Sequence, residues 1–200
     1  MTMKLGIYID LPNFWGSQLQ AGYKIDWNKI RDITKFLPLV DETEDTVEVV
    51  ELKVFKTRQE NNEGFMRMLS HIGATVHEEN SKNDIDAQMI NHLLNISTSP
   101  NLDAVIIVSG DSDFEPAINV LKQQGKEVYI LTAAACLSHH ITKAADDVLL
   151  LEDEKIRRTL FFAPFDDPTT ITHHGYSITL DKEITIKDRE QNIVAKITVA

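Results

Sequence analysis

Apolar residues fall along this chain in short unbroken runs, separated by stretches with helical spacing. The run at 105–108 (Val105, Ile106, Ile107, Val108) has no alternation, so it predicts a strand buried on both faces, as in a parallel sheet. Similar runs predict strands over 4–9, 46–55, 74–77, 127–131 and 148–151. Between them, apolar positions recur at three and four residues. Trp27, Ile30, Ile33 and Leu37 predict a helix capped by Asp26 and stopped by Pro38. Phe65, Met66 and Leu69 predict one over 63–72, ended by Gly73. After a polar loop over 78–83, Met89, Ile90, Leu93 and Leu94 predict a third, opened by Asp84 or Asp86. Ala117, Ile118 and Leu121 predict a fourth, capped by Ser112 or Asp113 and closed by Gly125. Shorter helical stretches are expected over 14–22, 137–145 and 152–159.

Strand and helix thus alternate through residues 1–160, the signature of a doubly wound α/β domain with a parallel sheet. Residues 161–200 differ. Pro164 and Pro168 predict a stiff linker. Ile178, Leu180, Ile184, Ile186, Ile193, Ala195, Ile197 and Val199 then alternate as in a two- or three-stranded β meander. Such a unit is marginal alone, so it is expected to pack on the main domain or on a second subunit, as in a homodimer.

Composition narrows the class. At 200 residues, 42% hydrophobic and 26% charged, the chain is ordinary for a globular protein. The single Cys136 excludes an internal disulfide. No apolar run approaches the roughly 20 residues that span a membrane, and the start of the chain carries no signal-like apolar segment. A cytoplasmic address is the expectation. The net charge of −11 argues against long-range attraction to nucleic acid. Carboxylates gathered around a metal contribute to that total, however, and the ion would reverse their local effect.

The chemistry concentrates where strands end. Asp10 follows the first strand, Asp111 and Asp113 follow the central one, and Asp84 or Asp86 lies at a helix start. In a parallel sheet these points share one rim, where α/β folds bind ligands. An aspartate after a strand also serves as a helix cap. Several carboxylates brought together, however, must either take up protons or hold a cation. All-oxygen ligation suits Mg²⁺ or Mn²⁺, and such a site suits phosphodiester hydrolysis. Asn13 stands three residues past Asp10, within reach of its carboxylate across a turn. Lys56, Arg58 and Lys82 are the candidate phosphate contacts. Phe14 and Trp15 are core or a stacking platform for a base. The chain has no Walker motif and no GxGxxG.

Four stretches then line up with one family. They are Ile7-Tyr8-Ile9-Asp10-x-x-Asn13, Ile85-Asp86, Val108-Ser109-Gly110-Asp111-Ser112-Asp113-Phe114, and Leu137-Ser138-x-x-Ile141-x-x-x-Ala145-Asp146. Together they resemble the NYN domain, a PIN-like nuclease family that includes the LabA-like proteins, over about residues 4–151. The resemblance implies a PIN-like parallel sheet flanked by helices, and metal-dependent ribonuclease activity on single-stranded or structured RNA. By matching position, Asp10, Asp86, Asp111 and Asp113 become the catalytic, metal-holding set. Asn13 and Ser109 orient ligands or substrate, and Asp146 matches a late family aspartate. Two positions depart from the pattern: Leu11-Pro12 follow the first aspartate, and His92 stands where the family often has another Asp. His92 lies two turns beyond Asp86 and is a candidate to reach the rim.

Two alternatives differ in class. One is an RNA- or protein-binding regulator on the same scaffold with weak or no catalysis. The other is a phosphatase of the haloacid-dehalogenase type, whose second Asp, two residues after the first, is replaced here by Pro12.

Overall fold

In a computed structural model, residues 2–21, 24–38, 46–58, 63–161, 170–173, 176–180, 183–187 and 193–198 are described. The chain divides into two compact units, Met1–Phe161 and Phe162–Ala200.

The first unit is built on a six-stranded, all-parallel sheet in the order β3-β2-β1-β4-β5-β6. Its strands are β1 (Thr2–Asp10), β2 (Thr46–Thr57), β3 (Thr75–Glu79), β4 (Ala104–Val108), β5 (Glu127–Thr132) and β6 (Asp147–Leu150). Every residue of β4 is buried, as its unbroken apolar run predicts. The α-helices are α1 (Leu11–Ala21), α2 (Glu63–His71), α3 (Lys82–Ile96), α4 (Glu115–Gln123), α5 (His139–Ala144) and α6 (Glu154–Leu160).

Two cores form on opposite faces of the sheet, because alternate strand residues point to opposite sides. Ile7, Ile9, Val54, Ile106 and Val108 join Phe14, Trp27, Ile30 and Ile33 on one face. Tyr8, Phe55, Val105 and Ile107 join Ile85, Met89, Leu93, Ile118 and Leu121 of α3 and α4 on the other. Gly73 and Gly125 take positive φ (72° and 77°) just past α2 and α4, as expected of helix-ending glycines.

Several expectations change in detail. Residues Trp27–Phe36 wind as a 3₁₀ helix, still capped by Asp26, whose side chain accepts the Asn28 N–H at 3.1 Å. Neither Asp84 nor Asp86 opens α3. Ser81 does so, accepting the Asp84 N–H and donating to the Asp84 carboxylate at 2.6 Å, a reciprocal cap that uses Asp84 at the surface. Asp86 therefore falls a turn inside the helix, on its buried face. The turn after β4 is likewise capped by Asp111, whose carboxylate takes the Asp113 N–H, and not by Ser112 or Asp113. A 3₁₀ turn, Ser112–Phe114, then leads into α4.

The second unit is a four-stranded antiparallel meander of β7 (Thr170–His173), β8 (Tyr176–Leu180), β9 (Glu183–Lys187) and β10 (Ile193–Thr198). It has four strands where the alternation predicts two or three, and Thr170–His173 lies before the stretch that alternates. The Pro164–Pro168 linker lies outside the described residues.

Candidate functional site

The strand order reverses between β1 and β4, which lie side by side with Ile9 opposite Val108. In open α/β sheets the crevice beyond such a pair is where ligands bind. Asp10 ends β1 there, and Ser109, Gly110 and Asp111 leave β4 beside it.

A chain of hydrogen bonds fixes this turn. Ser109 Oγ donates to Asp10 Oδ2 at 3.0 Å and accepts the Asp111 N–H at 3.2 Å. Asn13, in the first turn of α1, gives its own N–H to Asp10 Oδ1 at 3.3 Å, and its side-chain oxygen accepts the Gly110 N–H at 3.0 Å. Both residues expected to orient the site thus connect β1 to the acidic turn. Asn13 reaches across to Gly110 as well as sitting beside Asp10.

Gly110 is required here by close approach and not by a left-handed φ. A Cβ on Gly110 would lie 2.0 Å from the Cys136 carbonyl oxygen and 2.8 Å from Thr132 Oγ1. The segment after β5 also gives its Ser138 N–H to the Gly110 carbonyl at 3.0 Å. The Leu137-Ser138 stretch of the family pattern thus belongs to the loop that packs on the acidic turn.

The carboxylates interact. Asp10 is fully buried and its pKa rises from 3.8 to about 6. Burial is the main cause and the negative charge of Asp86 the second, outweighing the hydrogen bonds from Ser109 and Asn13 and the charge of Lys82. Asp86 is 8% exposed, and its Oδ1 has no hydrogen-bond partner. Burial raises its pKa, and Asp111 and Asp113 push the same way against the pull of Lys82. Lys82, the first residue of α3, donates to Asp111 Oδ2 at 3.3 Å. Burial alone would lower its pKa; the Asp111 hydrogen bond and the charges of Asp10, Asp111 and Asp86 raise it instead.

Asp10, Asp86 and Asp111 are thus brought to one corner with Lys82, and Asp113 follows on the same turn. Among the described residues, no three His, Cys, Asp or Glu side chains converge closely enough, as placed, to hold a metal ion. The donor set nevertheless fits a hard divalent cation. It is all carboxylate oxygen, carries more negative charge than Lys82 offsets, and includes the unpartnered Asp86 Oδ1.

Other expected site residues fall elsewhere. Lys56 is fully buried near the end of β2, bonded to the Thr57 carbonyl at 2.8 Å and paired with Glu78 at 3.2 Å. By strand alternation it points away from the face that carries Phe55 and α3. Arg58 is exposed just past β2. His92 stops short of the rim, with Nε2 3.1 Å from Lys53 Nζ and 3.7 Å from Glu51, beside the ring of Tyr8. Lys53 pairs in register with Tyr8, two residues below Asp10. Asp146 is structural in its contacts, taking the Val128 N–H at 2.9 Å and the Lys122 ammonium at 2.9 Å. Phe14 is core, edge-on to Trp27 at 5.8 Å, and Trp15 packs on Phe65 at 5.7 Å. No described helix is long and apolar enough to cross a membrane.

Comparison with known proteins adds the family. The NYN domain matches residues 4–152. The uncharacterized protein MJ0482 of Methanocaldococcus jannaschii is 24% identical over 151 residues, 76% of this chain and 56% of that protein. This chain therefore spans little more than half the length of that relative. Among solved structures, VPA0982 of Vibrio parahaemolyticus, a protein of unknown function, superposes with a TM-score of 0.62 at 21% identity. That match covers 80% of this chain and 96% of the other, and it speaks to the fold alone. NYN domains are nuclease-like and generally bind RNA, and the PIN-like nucleases generally use divalent metals. Because the family's match runs from β1 through β6, the whole parallel sheet and its acidic rim, the chain belongs to the NYN domain family of the PIN-like superfamily.

Proposed function

We propose that this chain is a divalent-metal-dependent ribonuclease whose site is the corner formed by Asp10, Asp86, Asp111 and Asp113. The observation that carries the reading is the pair of buried carboxyl groups there, Asp10 and Asp86, with Asp86 Oδ1 left unpaired at 8% exposure. Asp10, Asp86 and Asp111 would hold Mg²⁺ or Mn²⁺, with Asp113 beside them. When bound, such an ion lowers the pKa of water and stabilises charge on phosphoryl oxygens.

The residues of the chain do the rest. Ser109 and Asn13 hold both Asp10 oxygens in fixed directions, so the carboxylate is preorganised. Asn13 and Ser138 tie the Gly110 turn to α1 and to the segment after β5, fixing Asp111 relative to Asp10. Lys82 and Arg58 supply positive charge for RNA phosphates. Lys56, engaged with Glu78, serves the fold of the rim.

The test is thermal unfolding with and without millimolar Mn²⁺, followed by incubation with single-stranded and hairpin RNA. A ligand at about 100 times its dissociation constant stabilises by roughly 2.7 kcal/mol. Mn²⁺ should raise the midpoint of the wild type and not of Asp111→Asn, and only the wild type should cleave RNA. A midpoint that ignores Mn²⁺, together with intact RNA, overturns the reading.

One observation favours a second reading. As placed, the carboxylates do not close on a single point and Asp111 is engaged by Lys82, which suits an RNA-binding regulator without turnover. RNA binding that is indifferent to Mn²⁺ and to Asp111→Asn, with no cleavage, would establish it.

A further inference from the structure

Lys82 is a candidate phosphate contact by sequence, yet its ammonium sits against Asp111 in the acidic corner. It is the first residue of α3 and precedes Asp86 by four positions, so both side chains lie on the same side of the helix. Its Nζ lies 3.3 Å from Asp111 Oδ2. Its charge also acts on Asp10 and Asp86, so one cation serves carboxylates from β1, α3 and the turn after β4. It does so incompletely, because the nine-tenths buried Asp86 keeps an oxygen without a partner. The Lys82 side chain is 48% exposed on a flexible four-carbon stem, so it can leave the corner without unwinding the helix.

We infer that Lys82 is a built-in counter-cation of the acidic corner: it compensates the carboxylates while metal is absent, is displaced when a divalent ion enters, and is thereby released to take an RNA phosphate. This rests on the proposed metal site. Two cations cannot share the same few carboxylates without mutual repulsion. Metal entry and Lys82 release are therefore one event. By linkage, whatever draws Lys82 outward, RNA phosphate included, tightens metal binding, and the metal tightens RNA binding in return.

The test uses the metal alone. The full chain, stripped of metal, is titrated with Mn²⁺ by calorimetry as wild type, Lys82→Gln and Lys82→Arg. Each is also melted with and without Mn²⁺. Removing the competing ammonium should tighten Mn²⁺ binding by roughly three- to tenfold for this half-exposed charge, while Lys82→Arg stays near the wild type. Lys82→Gln should also melt lower than the wild type without metal and gain more from Mn²⁺, since it loses its counter-charge in one state only. Mn²⁺ binding by Lys82→Gln alone would be the same result in its extreme form. Equal or weaker Mn²⁺ binding by Lys82→Gln, with melting lowered equally in both conditions, overturns the inference and leaves the metal site standing. No binding by any of the three proteins overturns the metal site and the inference together.

Discussion

Asp10→Asn should make the metal-free protein more stable at pH 8, although it removes a residue at the centre of the site. Asp10 is fully buried, with a pKa raised from 3.8 to about 6 by burial and by Asp86. An acid with a higher pKa folded than unfolded holds its proton more tightly in the folded state. Its contribution to stability is full below pH 3.8 and is lost as pH rises through about 6. A shift of about two units corresponds to about 3 kcal/mol. Asparagine has the same shape and carries no charge. Its oxygen can accept the Asn13 N–H, and its amide can donate to Ser109 Oγ. The Ser109 hydroxyl then loses its acceptor, at a cost of about 1 kcal/mol. The net expectation is a gain of about 2 kcal/mol at pH 8 that falls to about zero near pH 4.5 and turns into a small loss below it. Urea unfolding in the presence of a chelator, from pH 4.5 to 8, measures it. With millimolar Mn²⁺ the order should reverse if the proposed site binds metal through Asp10, since only the wild type would then be stabilised. A chelated Asp10→Asn that is less stable than wild type, by an amount independent of pH, would refute the electrostatic account of the corner.

Two further substitutions probe the scaffold. Gly110→Ala forces a methyl onto the Cys136 carbonyl, which is backbone and cannot rotate away, so it should cost about 1–3 kcal/mol in urea unfolding and abolish the Mn²⁺ response; an unchanged response would show that the 134–138 segment yields. Asp84→Asn should keep the Mn²⁺ response while costing up to about 1 kcal/mol from the Ser81 cap, whereas Asp86→Asn should lose it; the reverse order in a Mn²⁺ melting series would assign the site to the wrong face of α3.

The fold was legible in the sequence wherever one local signal decided the outcome. The unbroken run of β4, short and β-branched, reads as a doubly buried strand, and the alternation of elements implies the parallel sheet whose rim gathers Asp10 and Asp111. Cap assignments failed at α3 and at the turn after β4, where a residue upstream of both candidates, Ser81 or Asp111, takes the cap. Ser81 opens α3 because its hydroxyl and the Asp84 carboxylate satisfy each other, and hydrophobic spacing carries no trace of that exchange. His92 stands two turns beyond Asp86 along α3 and yet stops short of the rim. Its true height is set by where the helix crosses the sheet, opposite Lys53 and Tyr8, and that crossing is a tertiary property.

The basic residues separate for the same reason. Lys56 and Lys82 look alike in sequence, each following or preceding a rim element. Lys56 lies within β2, where the pleat sends it to the opposite face and Glu78, opposite it on β3, receives it. Lys82 begins a helix on the face that carries Asp86, so its ammonium enters the acidic corner. Alternation on a strand and rotation on a helix convert similar positions into different chemistry: one ammonium ties β2 to β3, and the other confronts the carboxylates. On the proposed reading, competition within the corner itself would constrain activity, since a divalent ion would have to displace a cation that the fold already supplies.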